Sequence, residues 1–475
     1  MSKRPAKDGV GQLVLQIAFP EGRAKDRTGE TEANGPGASG ASSAARSEPE
    51  RKRKWYSLMD KVYAHANLQT AWARVWANQG AAGSDGMSLK KFAANAEENL
   101  RQLAADLRQK TYRPQPVRRV YIPKSGGGQR PLGIPTVRDR IVQQALRQVL
   151  EPIFEGKFSK RSHGFRPERG CATALAVVDR AVGYGYQWVV DADIEAFFDS
   201  VGHEELLAAL NEEIADGSVL KLVGRILRAG VIEPGAAERE PTELGTPQGG
   251  PLSPLLANIY LHAFDRQMEK AGYGLVRYAD DFVLFARSES EAAAALELAR
   301  AVLEGEWGLK LHPEKTRVVS VEAGFEFLGF HYFRDPKTGM QCKEVRRKSV
   351  QRFREAIRRL TPRLKTQRRV KAQHVTQERL AKNQRVEGVI RRVNLYLRGW
   401  HWYFKEARSR YVPAFGSFDG FVRRRIRQCI VGRVGSGWWN QRITNADLCH
   451  LGYVPLTELQ GKYQQGLLAA PARKG

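Results

Sequence analysis

The chain is short of acid: it carries 51 Asp and Glu against 77 Lys and Arg, a net charge of +26. A surplus of this size matches a polyanionic partner, which means nucleic acid or an acidic membrane surface. The chain also lacks any uninterrupted apolar run near the ~20 residues that span a bilayer, so no membrane-spanning helix and no membrane partner are expected. Cysteine is scarce. Cys171, Cys342, Cys429 and Cys449 are the four in 475 residues, and no two form a Cys-x-x-Cys pair. That excludes a disulfide scaffold and a zinc knuckle, and reduced thiols fit a cytoplasmic compartment. Hydrophobic residues, at 42%, are ample for a packed core, and the length suggests two to four domains.

Residues 1–54 read as a disordered basic tail. They are rich in Gly, Ala, Ser, Glu and Arg and end in Arg51-Lys52-Arg53-Lys54, and such composition buries too little apolar area to offset chain entropy. The apolar stretch at 13–19 is interrupted by Gln16 and has no small-residue cleavage site directly after it, so it is not expected to be a signal peptide. From Trp55 the chain becomes globular. Leu100, Leu103 and Leu107 form a helical stripe. Residues 117–135 read as a basic hairpin around a Gly-rich turn. Thr136 is the expected N-cap of a helix that carries Ile141, Val142, Ala145, Leu146, Val149 and Leu150 on one face. A strand is expected over 188–198, a helix from Ser253-Pro254, and a hairpin over 275–286 whose tip is acidic. Over 341–430 there are 26 Lys and Arg against 6 Asp and Glu, on amphipathic helices with aromatic residues interleaved, a pattern that favours a nucleic-acid surface.

Two acidic sites interrupt apolar strands. Asp280 and Asp281 stand together between Val276, Tyr278 and Phe282–Phe285, and Asp191 and Asp193 share one face of a strand at i, i+2. Charge inside such segments is expensive unless it is neutralised, and hard divalent cations take oxygen ligands. Carboxylates from two strands are the means by which two Mg²⁺ ions, roughly 4 Å apart, are held for in-line phosphoryl transfer. On the residues alone, Asp191 and Asp193 compete for one role.

YADD at 278–281, ADIEAFFDSV at 192–201 and TPQGGPLSPLLANIYL at 246–261 together resemble a group II intron-encoded reverse transcriptase. RPLGIPTVRDRIVQQAL at 130–146, SHGFRPERG at 162–170, HPEKT at 312–316 and FEFLGF at 325–330 are similar to further blocks of that family, in order. The resemblance implies an α+β right-hand polymerase: fingers and palm with a mixed or antiparallel sheet over 55–335, an all-α thumb or maturase region over 340–410, and a small basic, DNA-binding C-terminal module over 411–475. It implies RNA-directed DNA polymerase activity with two Mg²⁺ ions. The implied partners are dNTP, an RNA template–primer duplex, a structured intron RNA and target DNA. Asp193, Asp280 and Asp281 match the catalytic, metal-binding aspartates, and the carbonyl of Ile194 matches a further ligand. Phe198, five residues after Asp193, matches the aromatic that would exclude a 2′-hydroxyl; Phe197 has nearly the same claim. Lys124, Arg130, Arg166, Gln248, Gly249 and Lys315 match nucleotide-binding positions, with Lys315 near the leaving pyrophosphate.

In the thumb, Arg352, Arg358, Arg391, Arg398 and Trp400 are expected to grip RNA through its backbone and shape. Many members of the family continue into a Cys/His-containing endonuclease; Cys429, Cys449 and His450 do not supply one, and none is expected. Two rival readings are a reverse transcriptase domesticated for defence or repair, and an RNA-binding splicing factor whose polymerase activity is dispensable.

Overall fold

The first apolar periodicity in the chain becomes helices α1 (Met59–Tyr63), α2 (His65–Ala77), α3 (Leu89–Ala94) and α4 (Ala96–Arg108). Leu100, Leu103 and Leu107 are buried on one side of α4, as their spacing requires. This computed structural model describes residues 54–123, 128–236, 240, 242–246, 249–362, 384–407, 415–431 and 443–466. The expected tail therefore lies outside the described residues, save Lys54. Among the described residues no helix is long and apolar enough to cross a membrane.

The basic hairpin forms as β1 (Val117–Pro123) and β2 (Gln129–Ile134), antiparallel from Arg118 opposite Ile134 to Pro123 opposite Gln129. Helix α5 (Val137–Glu155) follows. Thr136 caps it by accepting from the Asp139 amide, and the expected apolar face is buried apart from a half-buried Val149.

The chain continues with α6 (Cys171–Gly183), β3 (Trp188–Asp193), α7 (Phe197–Ser200), α8 (His203–Asn211), α9 (Gly217–Leu227), β4 (Val231–Ile232), α10 (Ser253–Lys270), β5 (Gly274–Tyr278), β6 (Asp281–Ala286), α11 (Glu289–Arg300) and β7 (Arg317–Ser320). Short β4 adds in parallel to β1, extending the fingers sheet. The palm sheet has the order β5-β6-β3-β7, with every neighbouring pair antiparallel. The strand expected over 188–198 stops at Asp193. Ala196 then takes a left-handed backbone, φ 46°, and Phe197 and Phe198 open α7 instead of extending the strand.

Alternation along the strands divides the palm between two cores. Val190, Ala192, Leu275, Phe282, Leu284 and Ala286 pack into the core that includes α10 and the fingers helices. Val189, Val276, Val283 and Phe285 pack on the other face, with α6 and the elements that follow the palm. Those elements are the antiparallel sheet β8 (Phe325–Phe327), β9 (Phe330–Arg334) and β10 (Gln341–Val345), then helices α12 (Arg347–Leu360), α13 (Gln384–Phe404), α14 (Gly416–Val431), α15 (Asn445–His450) and α16 (Leu456–Gln464).

Packing crosses two of the expected boundaries. The β9–β10 pair straddles 335–340, so the border drawn there falls within one sheet. The described helices on either side of the expected 410/411 border share one core. Val422, Ile426, Leu448, Tyr453, Leu456 and Leu459 share a core with Val393, Leu397 and Trp400. Buried Asp419 ties α14 to α16, accepting from the Tyr453 hydroxyl at 2.9 Å and the amides of Leu456 and Thr457 at 2.7 and 3.0 Å.

Candidate active site

The end of the palm sheet brings the carboxylates together. In the β3–β6 ladder Asp193 lies directly opposite Asp281. Strand alternation puts Asp191, Asp193 and Asp281 on the same face as Val189, Val283 and Phe285, at the end of that face which apolar packing does not fill. Asp280 sits in the two-residue turn between Tyr278 and Asp281, behind Ala279, which is left-handed at φ 61°. The Ile194 segment bridges to Leu311, and the Asp193 carbonyl accepts from the His312 amide at 2.8 Å, so the 312–316 turn is bound to the end of β3.

Burial and mutual repulsion set the electrostatics. Burial pushes the Asp281 carboxyl well above the ordinary range, and the neighbouring carboxylates of Asp191, Asp193 and Asp280 push it further. Asp280 is raised by burial and by Asp193, against the pull of Arg130 and Lys315. Asp191 is pushed up to about 6, chiefly by burial, against the opposing pull of Arg317. Arg317 Nη2 lies 3.1 Å from Asp191 Oδ2, while the Lys315 ammonium donates directly to Asp193 Oδ2. A protein cation thus stands on the aspartate assigned to metal, and the rival acid has its own arginine.

Among the described residues no group of three or more acid, imidazole or thiol side chains is placed to hold a metal ion. The chemistry of the donors suits hard divalent cations, since Asp193, Asp280 and Asp281 offer only carboxylate oxygen, Asp193 raises the pKa of the other two, and Asp193 already takes a lysine cation. Asp193, Asp280 and Asp281 are the residues that would hold such ions.

The two candidate aromatics differ in burial. Phe197 is 2% exposed in the core beside Tyr260, while Phe198 is half-buried, edge-on to Phe165 at 6.4 Å. Phe165, 42% exposed and left-handed at φ 60°, lies in the 162–170 block but was not singled out in the sequence, because only the structure shows its ring exposed. Arg130 is exposed on β2, opposite Ile122, within electrostatic reach of Asp280. Lys124 and Gln248 lie outside the described residues.

Gly249 carries a backbone constraint of its own. Its φ is +123°, and an added Cβ would lie 2.6 Å from the Gly133 carbonyl oxygen, so the fingers strand itself requires glycine there. Arg166 is corrected. It is buried, its Nε and Nη2 donate to Glu155, and its Nη1 donates to the carbonyls of Ser159 and Ser162 at 2.5 and 2.8 Å. This guanidinium joins α5 to the 159–166 segment and has no donor left for a nucleotide. Arg346, at the start of the thumb, was also missed; it exerts a lowering pull on Asp281.

In the thumb, Arg352, Arg358, Arg391 and Arg398 are exposed on α12 and α13. Arg358 also lies over the Phe421 ring, 5.7 Å from its centroid. Trp400 is corrected: it is 8% exposed and packs against Phe353, Phe404 and Phe418, with ring centroids 4.5–4.8 Å away. It is the centre of the helical core and not part of an RNA-facing surface.

Comparison with known proteins shows the family. The family model described as reverse transcriptase (RNA-dependent DNA polymerase) matches residues 122–332, and that of the group II intron maturase-specific domain matches 369–444. Protein YkfC of Escherichia coli is 37% identical over 291 residues, covering 53% of this chain and 76% of YkfC. Group II intron-encoded protein LtrA of Lactococcus lactis is 43% identical over 212 residues, 44% of this chain and 34% of LtrA. Nuclear intron maturase 2 of Arabidopsis thaliana is 30% identical over 193 residues, 33% of this chain and 26% of the maturase. The chain thus spans about a third of LtrA or less of such longer relatives, and most of YkfC.

Proposed function

We propose, from the premise that this chain belongs to the group II intron reverse transcriptase and maturase family, that it copies RNA into DNA and binds a structured intron RNA to assist its splicing and mobility. The observation that carries the polymerase reading is the register that sets Asp193 opposite Asp281, with Asp280 in the adjoining turn.

Two Mg²⁺ ions bound by these carboxylates would supply charge stabilisation for in-line attack of a primer 3′-hydroxyl on a dNTP. The protein's own residues do the rest. Arg130 supplies positive charge on the fingers hairpin, on the side of Asp280, where a triphosphate enters. Lys124 is assigned the same role from the sequence, and Gln248 and Gly249 the loop beside the nucleotide. Lys315 pairs with Asp193 in the protein alone; were cations to take Asp193, its ammonium would be free to meet the leaving pyrophosphate. Phe198 presents its half-buried ring beside Phe165, and a wall of this kind rejects a ribose 2′-hydroxyl by size. Arg352, Arg358, Arg391 and Arg398 offer exposed charge for RNA phosphates.

Primer extension on an RNA template, with Mg²⁺ supplied or chelated, tests the reading. Extension by the parent in Mg²⁺ and loss of extension in Asp280→Ala are expected, with RNA affinity and splicing assistance nearly unchanged. Splicing that collapsed together with extension would overturn the division of labour.

A further inference from the structure

Arg277 immediately precedes the acidic turn's Tyr278, and strand alternation turns it away from the carboxylates toward α10. Arg277 and its counter-ion Asp265 are both 0% exposed. Its Nε and Nη2 donate to the two Asp265 oxygens at 2.6 Å each, a bidentate fork. Its Nη1 reaches Asn258 Oδ1 at 3.2 Å and, two residues onward in its own chain, the Ala279 carbonyl at 2.8 Å. Asn258 and Asp265 lie two turns apart on α10, the helix that follows the Gly249 loop.

The same network holds the other side of the turn. Asn258 Nδ2 donates to the Gly164 carbonyl at 2.9 Å, and an added Cβ on Gly164 would lie 2.4 Å from the Ala279 amide nitrogen. The His163 amide donates to the Arg277 carbonyl at 2.9 Å. Ala279 is therefore gripped between the Arg277 guanidinium and the Gly164 backbone. Its left-handed backbone is a conformation that a non-glycine residue holds only when the surroundings enforce it.

We infer that Arg277 is a positioning residue: with Asp265 and Asn258 it locks the Ala279 carbonyl, and so aims the carboxylates of Asp280 and Asp281. This rests on the proposed polymerase reading and deepens it. Nothing in the local sequence requires an arginine under the turn. A buried ion pair is also no general source of stability, whereas a planar fork that reaches three partners at once is suited to setting geometry.

Arg277→Lys is the informative variant. It keeps the charge that Asp265 needs, but an ammonium is a point charge and cannot span Asp265 bidentately while reaching Ala279. The full chain is compared with its parent by thermal melting, duplex RNA binding, dNTP kinetics on an RNA template, and Mn²⁺ binding followed by electron paramagnetic resonance. For folded Arg277→Lys, kcat is expected to fall roughly 100-fold, with the dNTP KM and RNA affinity within about threefold. Mn²⁺ affinity is expected to fall about 10-fold or more. Asn258→Ala, which leaves the ion pair whole, is expected to show the same signature at smaller size. Parent-like kcat per folded molecule and parent-like Mn²⁺ affinity in both variants would overturn the inference. A parent that extends no primer sinks the polymerase reading instead, and the Mn²⁺ titration still judges Arg277.

Discussion

Asp193 and Asp281 face one another as partners in the β3–β6 ladder. Directly opposed like charges destabilise a sheet, so this pair is held against its own repulsion by the apolar register behind it, Ala192 opposite Phe282 and Val190 opposite Leu284. Burial in the two cores on either side of the sheet offsets that repulsion.

Asp281→Asn is expected to abolish primer extension, by roughly 10³-fold or more, as when a group acting in the transition state is removed. Without metal, thermal melting of the variant is expected to match or exceed the parent's, because a buried carboxylate beside Asp191, Asp193 and Asp280 is gone. A large fall in the melting temperature would contradict the cluster.

Phe198→Ala is expected to admit ribonucleotides. The ratio of kcat/KM for dNTP over the matching rNTP should fall by about tenfold or more, since a size barrier is removed without losing a hydrogen bond. Phe197→Ala, by contrast, opens a hole in the core and is expected to reduce stability by about 3–5 kcal/mol with the ratio preserved.

Trp400 and the exposed arginines are expected to separate cleanly. Trp400→Ala should lower unfolding free energy by about 3–5 kcal/mol, read from denaturant melts. Arg391→Ala and Arg398→Ala should leave melts unchanged and weaken RNA binding. The slope of log K against log salt should become shallower by about one for each RNA phosphate that is no longer neutralised.

Acid sensitivity is expected from His163. It is fully buried, its Nδ1 lies 2.9 Å from Thr173 Oγ1, and burial holds its pKa down to about 3, against 6.5 for an ordinary histidine. The nearby cations Arg169, Arg166 and Arg277 act in the same direction. Between those values the unfolded chain binds a proton that the folded one refuses, so stability falls as pH drops below 6.5. The loss at pH 5 is on the order of 2 kcal/mol. Urea midpoints at pH 7 and pH 5 should therefore lie closer together in His163→Asn than in the parent.

Arg166→Met is expected to act on stability and not on nucleotide affinity. It leaves Glu155 and the carbonyls of Ser159 and Ser162 without their shared donor. A lower melting temperature with an unchanged dNTP KM is the expected result; a raised KM with an unchanged melt would return Arg166 to the substrate.

Much of this protein was written in local pattern. The stripe of Leu100, Leu103 and Leu107, the Thr136 cap and the acidic hairpin tip each follow from residues a few positions apart, because helix and strand periodicities and caps are short-range. Asp193 and Asp281 are 88 positions apart, yet their conjunction was legible, since each interrupts an apolar strand where charge demands an explanation. What a long polar or aromatic side chain touches was decided only by the tertiary structure. Arg166 went to Glu155, Arg277 to Asp265 and Trp400 to Phe353. Amphipathic spacing states that a residue lies on one face of a helix, and leaves open whether that face meets RNA or another helix. That choice belongs to partners distant in sequence, among them Phe353 on α12 and Phe418 on α14, which pack on the ring and bury the tryptophan expected to face RNA.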